Sequence, residues 1–265
     1  MQIQIYDTTL RDGTQSEGFN LSANDKVRIA HKLDELGVAF IEGGWPGSNP
    51  RTWSSLSARD MQWKNSLIAA FGSTCRVKGG PEDDANIEAL IDSHTPVCTI
   101  FGKSSTLHVK EVLLTTLEDN LRIIEQSVSY LKSNGKQVIY DAEHFFDGYK
   151  LDSSYALETL QAAIRGGAET VVLCDTNGGT MPWEVESIVS VVKEAVLHPF
   201  GIHTHNDSEC AVINSLIAIR AGAIQAQGTI NGVGERCGNA NLVSIMADLE
   251  LKMGYQCLPK HQQVI

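Results

Sequence analysis

Basic residues are scarce in this chain. Its 21 Lys and Arg stand against 32 Asp and Glu, for a formal net charge of −11. That balance argues against nucleic acid or an anionic membrane as a general partner. It leaves a small anionic substrate open, because a single pocket can be locally positive. The six cysteines (Cys75, Cys98, Cys174, Cys210, Cys237 and Cys257) include no C-x-x-C pair. Such scatter argues against a disulfide or zinc-finger framework and for a reduced intracellular protein. No apolar run reaches transmembrane length. No basic-then-apolar leader precedes the first strand pattern. Linkers, low-complexity tracts and charge blocks are missing too. The expectation is a cytoplasmic protein with no nucleic-acid and no membrane partner.

What is present is alternation. At 265 residues and 42% apolar content the chain can bury one substantial core, which suits a single domain over residues 1–265. Short β-branched runs bounded by turn residues predict strands at Gln2–Asp7, Ala39–Glu42, Leu67–Phe71, Val97–Phe101, Gln137–Ala142, Thr170–Cys174, Gly201–His203 and Ala223–Thr229. Helical patterns lie between them. Ser22 with Asp25 forms a capping box ahead of Val27, Ile29, Ala30, Leu33 and Leu36, and Gly37 ends that helix. Thr116 with Asp119 opens another, which closes at Asn134-Gly135. Pro182 suits a first helical turn, and Asn241–Met253 follows the last strand. The stretch Asn49–Asn65 is the least regular. Doubly wound sheets alternate as well, but eight βα units in about 250 residues favour a (β/α)8 TIM barrel.

In such a barrel the functional rim lies where strands end and βα loops begin. Arg11 and Asp12 follow strand one, and Glu42 ends strand two. Glu143 and His144 follow strand five, Asp175 and Thr176 strand six. His203 and His205 end strand seven, and Arg236 and Asn239 follow strand eight. The polar residues thus gather at one rim.

His203 and His205 are two apart, so on an extended backbone both rings point to one side. A lone histidine is usually a satisfied core residue. Two on one side, with Asp12 on the same rim, fit a divalent metal; zinc, manganese, cobalt and magnesium all suit the donor set. Asn206 and Asp207 are placed to orient those ligands. Arg11 could form a plain ion pair with Glu42, or offer a fixed guanidinium to a carboxylate or oxyanion, and the two are compatible. Glu143 reads either as a general acid or base or as a solvated rim carboxylate. The glycine-rich loops Gly43–Ser48 and Asn231–Asn239 read as turns or as close ligand approaches. The second holds G-x-G without dinucleotide-binding spacing. Nothing marks Cys237 as activated. His31, His94 and His198 read as surface residues, and His108 is left open.

These residues resemble a known family. Leu10-Arg11-Asp12-Gly13-x-Gln15 with Lys26 resembles the opening signature of the isopropylmalate, homocitrate and citramalate synthases. His203-x-His205-Asn206-Asp207 resembles the second signature, and Glu235-Arg236-Cys237-Gly238-Asn239 the loop after strand eight. The runs Ile41–Pro50, Ile100–Lys103, Asp141–Gly148 and Leu173–Gly179 are similar to the citramalate synthase branch. The resemblance implies a Claisen-type condensation of acetyl-CoA with an α-keto acid, pyruvate in that branch, giving (R)-citramalate for isoleucine synthesis. It implies metal ligands Asp12, His203, His205 and Asn239, a keto group polarised by the metal and Arg11, and a keto-acid carboxylate held by Thr176. Glu143 is a candidate for the base that helps generate the thioester enolate, and Glu42 joins Arg11 and Thr176 in the substrate-binding set.

Two departures stand out. Glu209 occupies a position that is usually glycine, where it could begin the next helix or crowd the pocket. The family's linker and regulatory domains, which help complete the acetyl-CoA site, often across a homodimer of the full-length form, are absent from these 265 residues. Besides an isopropylmalate- or homocitrate-type synthase of the same family, two alternatives are carried. One is a metal-dependent lyase of the HMG-CoA lyase kind, although the Gly-Gly-Cys-Pro loop of such enzymes is missing. The other is a barrel that binds metal and keto acid without turnover.

Overall fold

A computed structural model describes residues 2–47 and 62–260. Eight parallel strands close into a barrel in sequence order: β1 Gln4–Asp7, β2 Phe40–Gly44, β3 Leu67–Ser73, β4 Val97–Lys103, β5 Gln137–Glu143, β6 Thr170–Asp175, β7 Phe200–Thr204 and β8 Gln225–Gly228. Closure is the β1–β8 pairing, which sets Tyr6 opposite Gln227 and Asp7 opposite Gly228. The (β/α)8 barrel read from the sequence is the fold. All eight strands fall where they were expected, but several run one or two residues further at their C-terminal ends. Ser73, Lys103, Glu143 and Asp175 are polar and read as loop, yet each is the last residue of its strand, whereas β7 ends at Thr204, one residue short of His205.

The helix signals also hold. Ser22 Oγ accepts from Asp25 N at 3.2 Å, Asp25 Oδ2 accepts from Ser22 N at 3.1 Å, and Gly37 ends the helix Ala23–Leu36 at φ +90°. Thr116 caps Leu117–Ser133, Pro182 opens Pro182–Val196, and the last helix is Leu242–Leu251. Units four and five each carry an additional short helix, Thr106–Glu111 and Phe145–Leu151. Of the irregular stretch, residues 62–65 are irregular and residues 49–61 lie outside the described ones.

Strand alternation sorts the core into two layers. One apolar layer fills the space between strands and helices. Inside the barrel, Tyr6, Phe40, Ala69, Val97, Ile139, Val172 and Cys174 pack together. They form the floor on which the polar rim sits, a packed interior rather than a pore. Among the described residues no helix is long and apolar enough to cross a membrane.

Candidate functional site

The β1 strand ends in a tight turn, in which the backbone N–H groups of Arg11, Asp12 and Gly13 all point at Thr8 O. That turn swings Asp12 over the barrel mouth. The β7 strand lies only one strand away from β1, across β8, so His203 and His205 arrive at the same place. His203 Nε2 is 3.4 Å from Asp12 Oδ2 and 3.4 Å from His205 Nε2. The three side chains are buried, and their donor atoms lie within 4.8 Å of one another. Asn239, also buried, forms a backbone bridge with His205, and its side-chain Oδ1 is a buried acceptor with no hydrogen-bond donor.

Burial and charge shape this cluster. Burial pushes the Asp12 carboxyl up, but Arg11 and His203 outweigh it and hold the group well below the usual carboxylate range. Burial, reinforced by His203, pushes His205 down to about 3, so its ring is neutral near pH 7. For His203, burial pulls the ring down, and Asp12 more than offsets it. An anionic oxygen and a neutral imidazole converging in a buried pocket are the ligand states a divalent cation requires.

Arg11 lies over Phe71, its guanidinium carbon 3.8 Å from the ring centroid. Its Nε donates to Glu42 Oε1 at 2.5 Å, and Nη1 is 3.6 Å from Asp12 Oδ2. The Arg11–Glu42 ion pair therefore exists. Glu42 is fully buried, its other oxygen accepts from Tyr6 OH at 2.8 Å, and it stands outside the cavity wall. Grouped with the substrate contacts on sequence, it instead braces Arg11 from below. Both of its oxygens are occupied by barrel residues.

The cavity above this cluster measures about 260 Å³ and is lined by Arg11, Asp12, Glu143, Thr176, His203 and His205 among others. Glu143 is ion-paired with Lys103, the last residue of β4. Thr176 Oγ1 accepts from His144 N at 2.8 Å, leaving its own proton to donate. One wall is aromatic: Phe71 stacks on Phe101 at 5.6 Å, with Trp45 edge-on to both at 6.0 Å.

Several expectations change. Asn206 and Asp207 do not orient the histidines. Asp207 pairs with Arg236 at 2.8 and 2.9 Å, and Asn206 Oδ1 accepts from Ala211 N at 3.1 Å. Gln227 fills that place, 2.9 Å from His203 Nδ1. His198 is half-buried and bonds Ala168 O at 2.9 Å, whereas His31 and His94 are exposed as expected. His108 packs edge-on against His144 with centroids 4.3 Å apart, beside the site. Glu209 is exposed and away from the cavity, and the helix begins after it, at Ala211. Lys103, Asp141, Gln227, Phe71, Phe101 and Trp45 have no individual role in the sequence reading, although several lie in the runs that carry the resemblance. The two-residue strand period was the available signal, since Asp141 precedes Glu143 and Phe101 precedes Lys103 by one inward step.

Known proteins resemble the chain across its whole barrel. An (R)-citramalate synthase of Geobacter sulfurreducens is 54% identical over 261 residues, covering 98% of this chain and 49% of that protein. A 2-isopropylmalate synthase of Halalkalibacterium halodurans is more distant, at 35% over 255 residues, 95% of this chain and 48% of that one. The chain spans about half the length of these curated relatives. The HMG-CoA lyase of Brucella melitensis superposes with a TM-score of 0.78, covering 98% of this chain and 94% of that one; at 19% identity it shares the fold alone. Residues 2–263 match the HMGL-like family, to which this chain belongs.

Proposed function

We propose that this chain is the catalytic barrel, one domain over residues 1–265, of a citramalate-synthase-type acyltransferase. It joins the methyl carbon of acetyl-CoA to the keto carbon of pyruvate to give (R)-citramalate, on the route to isoleucine. The observation that carries this reading is the convergence of Asp12, His203 and His205 beside Arg11, within a barrel 54% identical to an (R)-citramalate synthase. A homodimer is expected of the full-length form.

Asp12, His203 and His205 would hold a divalent metal, with the unpartnered Asn239 Oδ1 as a further oxygen donor. Two nitrogens and two oxygens suit zinc, manganese or cobalt, and magnesium less well. When bound, the metal would supply positive charge to the keto oxygen.

The remaining work belongs to side chains. Thr176 donates its hydroxyl proton to the keto-acid carboxylate. Arg11, held by Glu42 and Phe71, presents a preorganised donor where negative charge grows on the keto oxygen. Glu143 takes a proton from the thioester methyl group. The resulting carbanion forms the new C–C bond to the keto carbon, and the keto π pair becomes an alkoxide that takes up one proton, equal to the one that Glu143 removed and gives back to solvent. Water cleaves the thioester and frees CoA. The preference for pyruvate rests on the likeness to (R)-citramalate synthases, 54% identical in the case of the Geobacter sulfurreducens protein.

Release of free CoA, with metal added and a panel of keto acids, tests the reading. Pyruvate is expected to be preferred. A preference for ketoisovalerate or 2-oxoglutarate would overturn the substrate assignment.

A further inference from the structure

We infer that Gln227 is a positioning residue for His203: its side-chain carbonyl accepts the Nδ1 proton and leaves Nε2, on the Asp12 side, as the nitrogen available to a metal. This rests on the proposed metal site and deepens it. Register brings the two residues together, because His203 on β7 and Gln227 on β8 are direct Cα partners. Gln227 Oε1 lies 2.9 Å from His203 Nδ1.

An amide can offer either oxygen or nitrogen to a ring, so its surroundings decide. The far end of Gln227 faces two oxygens, Asp141 Oδ1 at 3.0 Å and Gln225 Oε1 at 3.5 Å. The NH2 group belongs between them. Gln225 is oriented in the same sense, its Nε2 donating to Gln4 Oε1 at 3.3 Å. Every link of this chain through the barrel interior thus runs one way, from His203 to Gln227 to Gln225 to Gln4. Asp141 Oδ1 accepts whether or not the other carboxyl oxygen carries a proton. Gln225 and Gln227 are fully buried and Asp141 is 4% exposed. Turning the amide over would set its carbonyl against two oxygens where water is scarce, which is costly.

A carbonyl only accepts, so the ring nitrogen opposite it must be protonated. In a neutral ring the lone pair is then on Nε2, the nitrogen 3.4 Å from both Asp12 Oδ2 and His205 Nε2. The residues that follow His205 in sequence cannot do this, since Asp207 and Asn206 are engaged by Arg236 and Ala211.

The test is Co²⁺ binding to the metal-free protein, followed by calorimetry and by the visible spectrum of the bound ion. Gln227→Met keeps the volume and removes the acceptor; it is expected to weaken Co²⁺ binding by about 10–100-fold. Gln227→Glu combined with Asp141→Asn exchanges donor and acceptor across that contact and keeps an oxygen at Nδ1, so it is expected to recover most of the lost affinity. A wild-type affinity in Gln227→Met overturns the proposal. Nitrogen-15 NMR of the histidine rings in the metal-free wild type needs no substitution: Nδ1 of His203 is expected to be protonated, and a bare Nδ1 overturns the proposal. If the wild type binds no Co²⁺, the metal site itself fails, and the ring tautomer still decides the role of Gln227.

Discussion

Glu209 adopts φ +58°, the left-handed region that glycine enters without penalty. That accounts for the glycine expected at this place, two residues after the Asn-Asp pair: the chain must turn here between His205 and the helix at Ala211. Left-handed backbone costs an L-residue roughly 1–2 kcal/mol, partly offset because glycine has more freedom to lose on folding. Glu209→Gly is therefore expected to stabilise the barrel by about 0.5–1 kcal/mol, and to raise Tm by about 1–4 °C in a domain of this size. Thermal denaturation measures it; a lowered Tm would show that the glutamate side chain contributes something its exposure does not reveal. Single residues differed in how far sequence exposed them. The His203-x-His205 pair was legible because two-residue spacing sets both rings on one side of a strand. Gln227 was not, since a glutamine inside a strand looks like any polar residue until register places it beside a histidine.

Helices and strands were legible where their ends carry local chemistry. Ser22 with Asp25, and Thr116 with Asp119, satisfy N–H groups within one turn, so pattern alone finds them. Asp34 does the opposite. It sits in the last turn of Ala23–Leu36, and its carboxylate accepts from the backbone N–H groups of Lys64, Asn65 and Ser66 at 2.8–3.1 Å, just ahead of β3. No local spacing announces a contact about thirty residues away. Burial pushes this carboxyl up, but the three backbone donors outweigh it and hold it below its ordinary value. Asp34→Asn is expected to cost about 1.5–3 kcal/mol at pH 7. A depressed carboxyl contributes stability above its unfolded pKa of about 4 and loses it as pH falls through the folded value. The gap between wild type and Asp34→Asn should therefore narrow below pH 4. Urea denaturation at pH 7 and pH 3 checks this, and a pH-independent gap would assign the loss to packing instead.

At the scale of the whole barrel, Tyr6 joins strands that are distant in sequence. Its hydroxyl donates to Glu42 Oε2 at 2.8 Å and shares a bond with Thr99 Oγ1 at 2.7 Å, tying β1 to β2 and β4 beneath Arg11. Tyr6→Phe leaves a buried carboxylate oxygen short of a donor and is expected to cost about 1–3 kcal/mol. Because the bond spans the barrel, the loss should appear as a lower global unfolding free energy. Amide exchange is expected to quicken in β1, β2 and β4 together; protection lost in β1 alone would contradict it. Periodicity, capping and strand-end position are local properties, so the barrel and the two segments that carry metal-ligand chemistry can be read along the chain. Which side chains meet is fixed by folding. Closing the barrel through β8 brings Asp12 within 3.4 Å of His203. Inward register sets Gln227 against His203 and Glu42 beneath Arg11, while Asp207 turns away to Arg236. Those pairings depend on distances between residues far apart in the chain, and such distances exist only once the strands have closed.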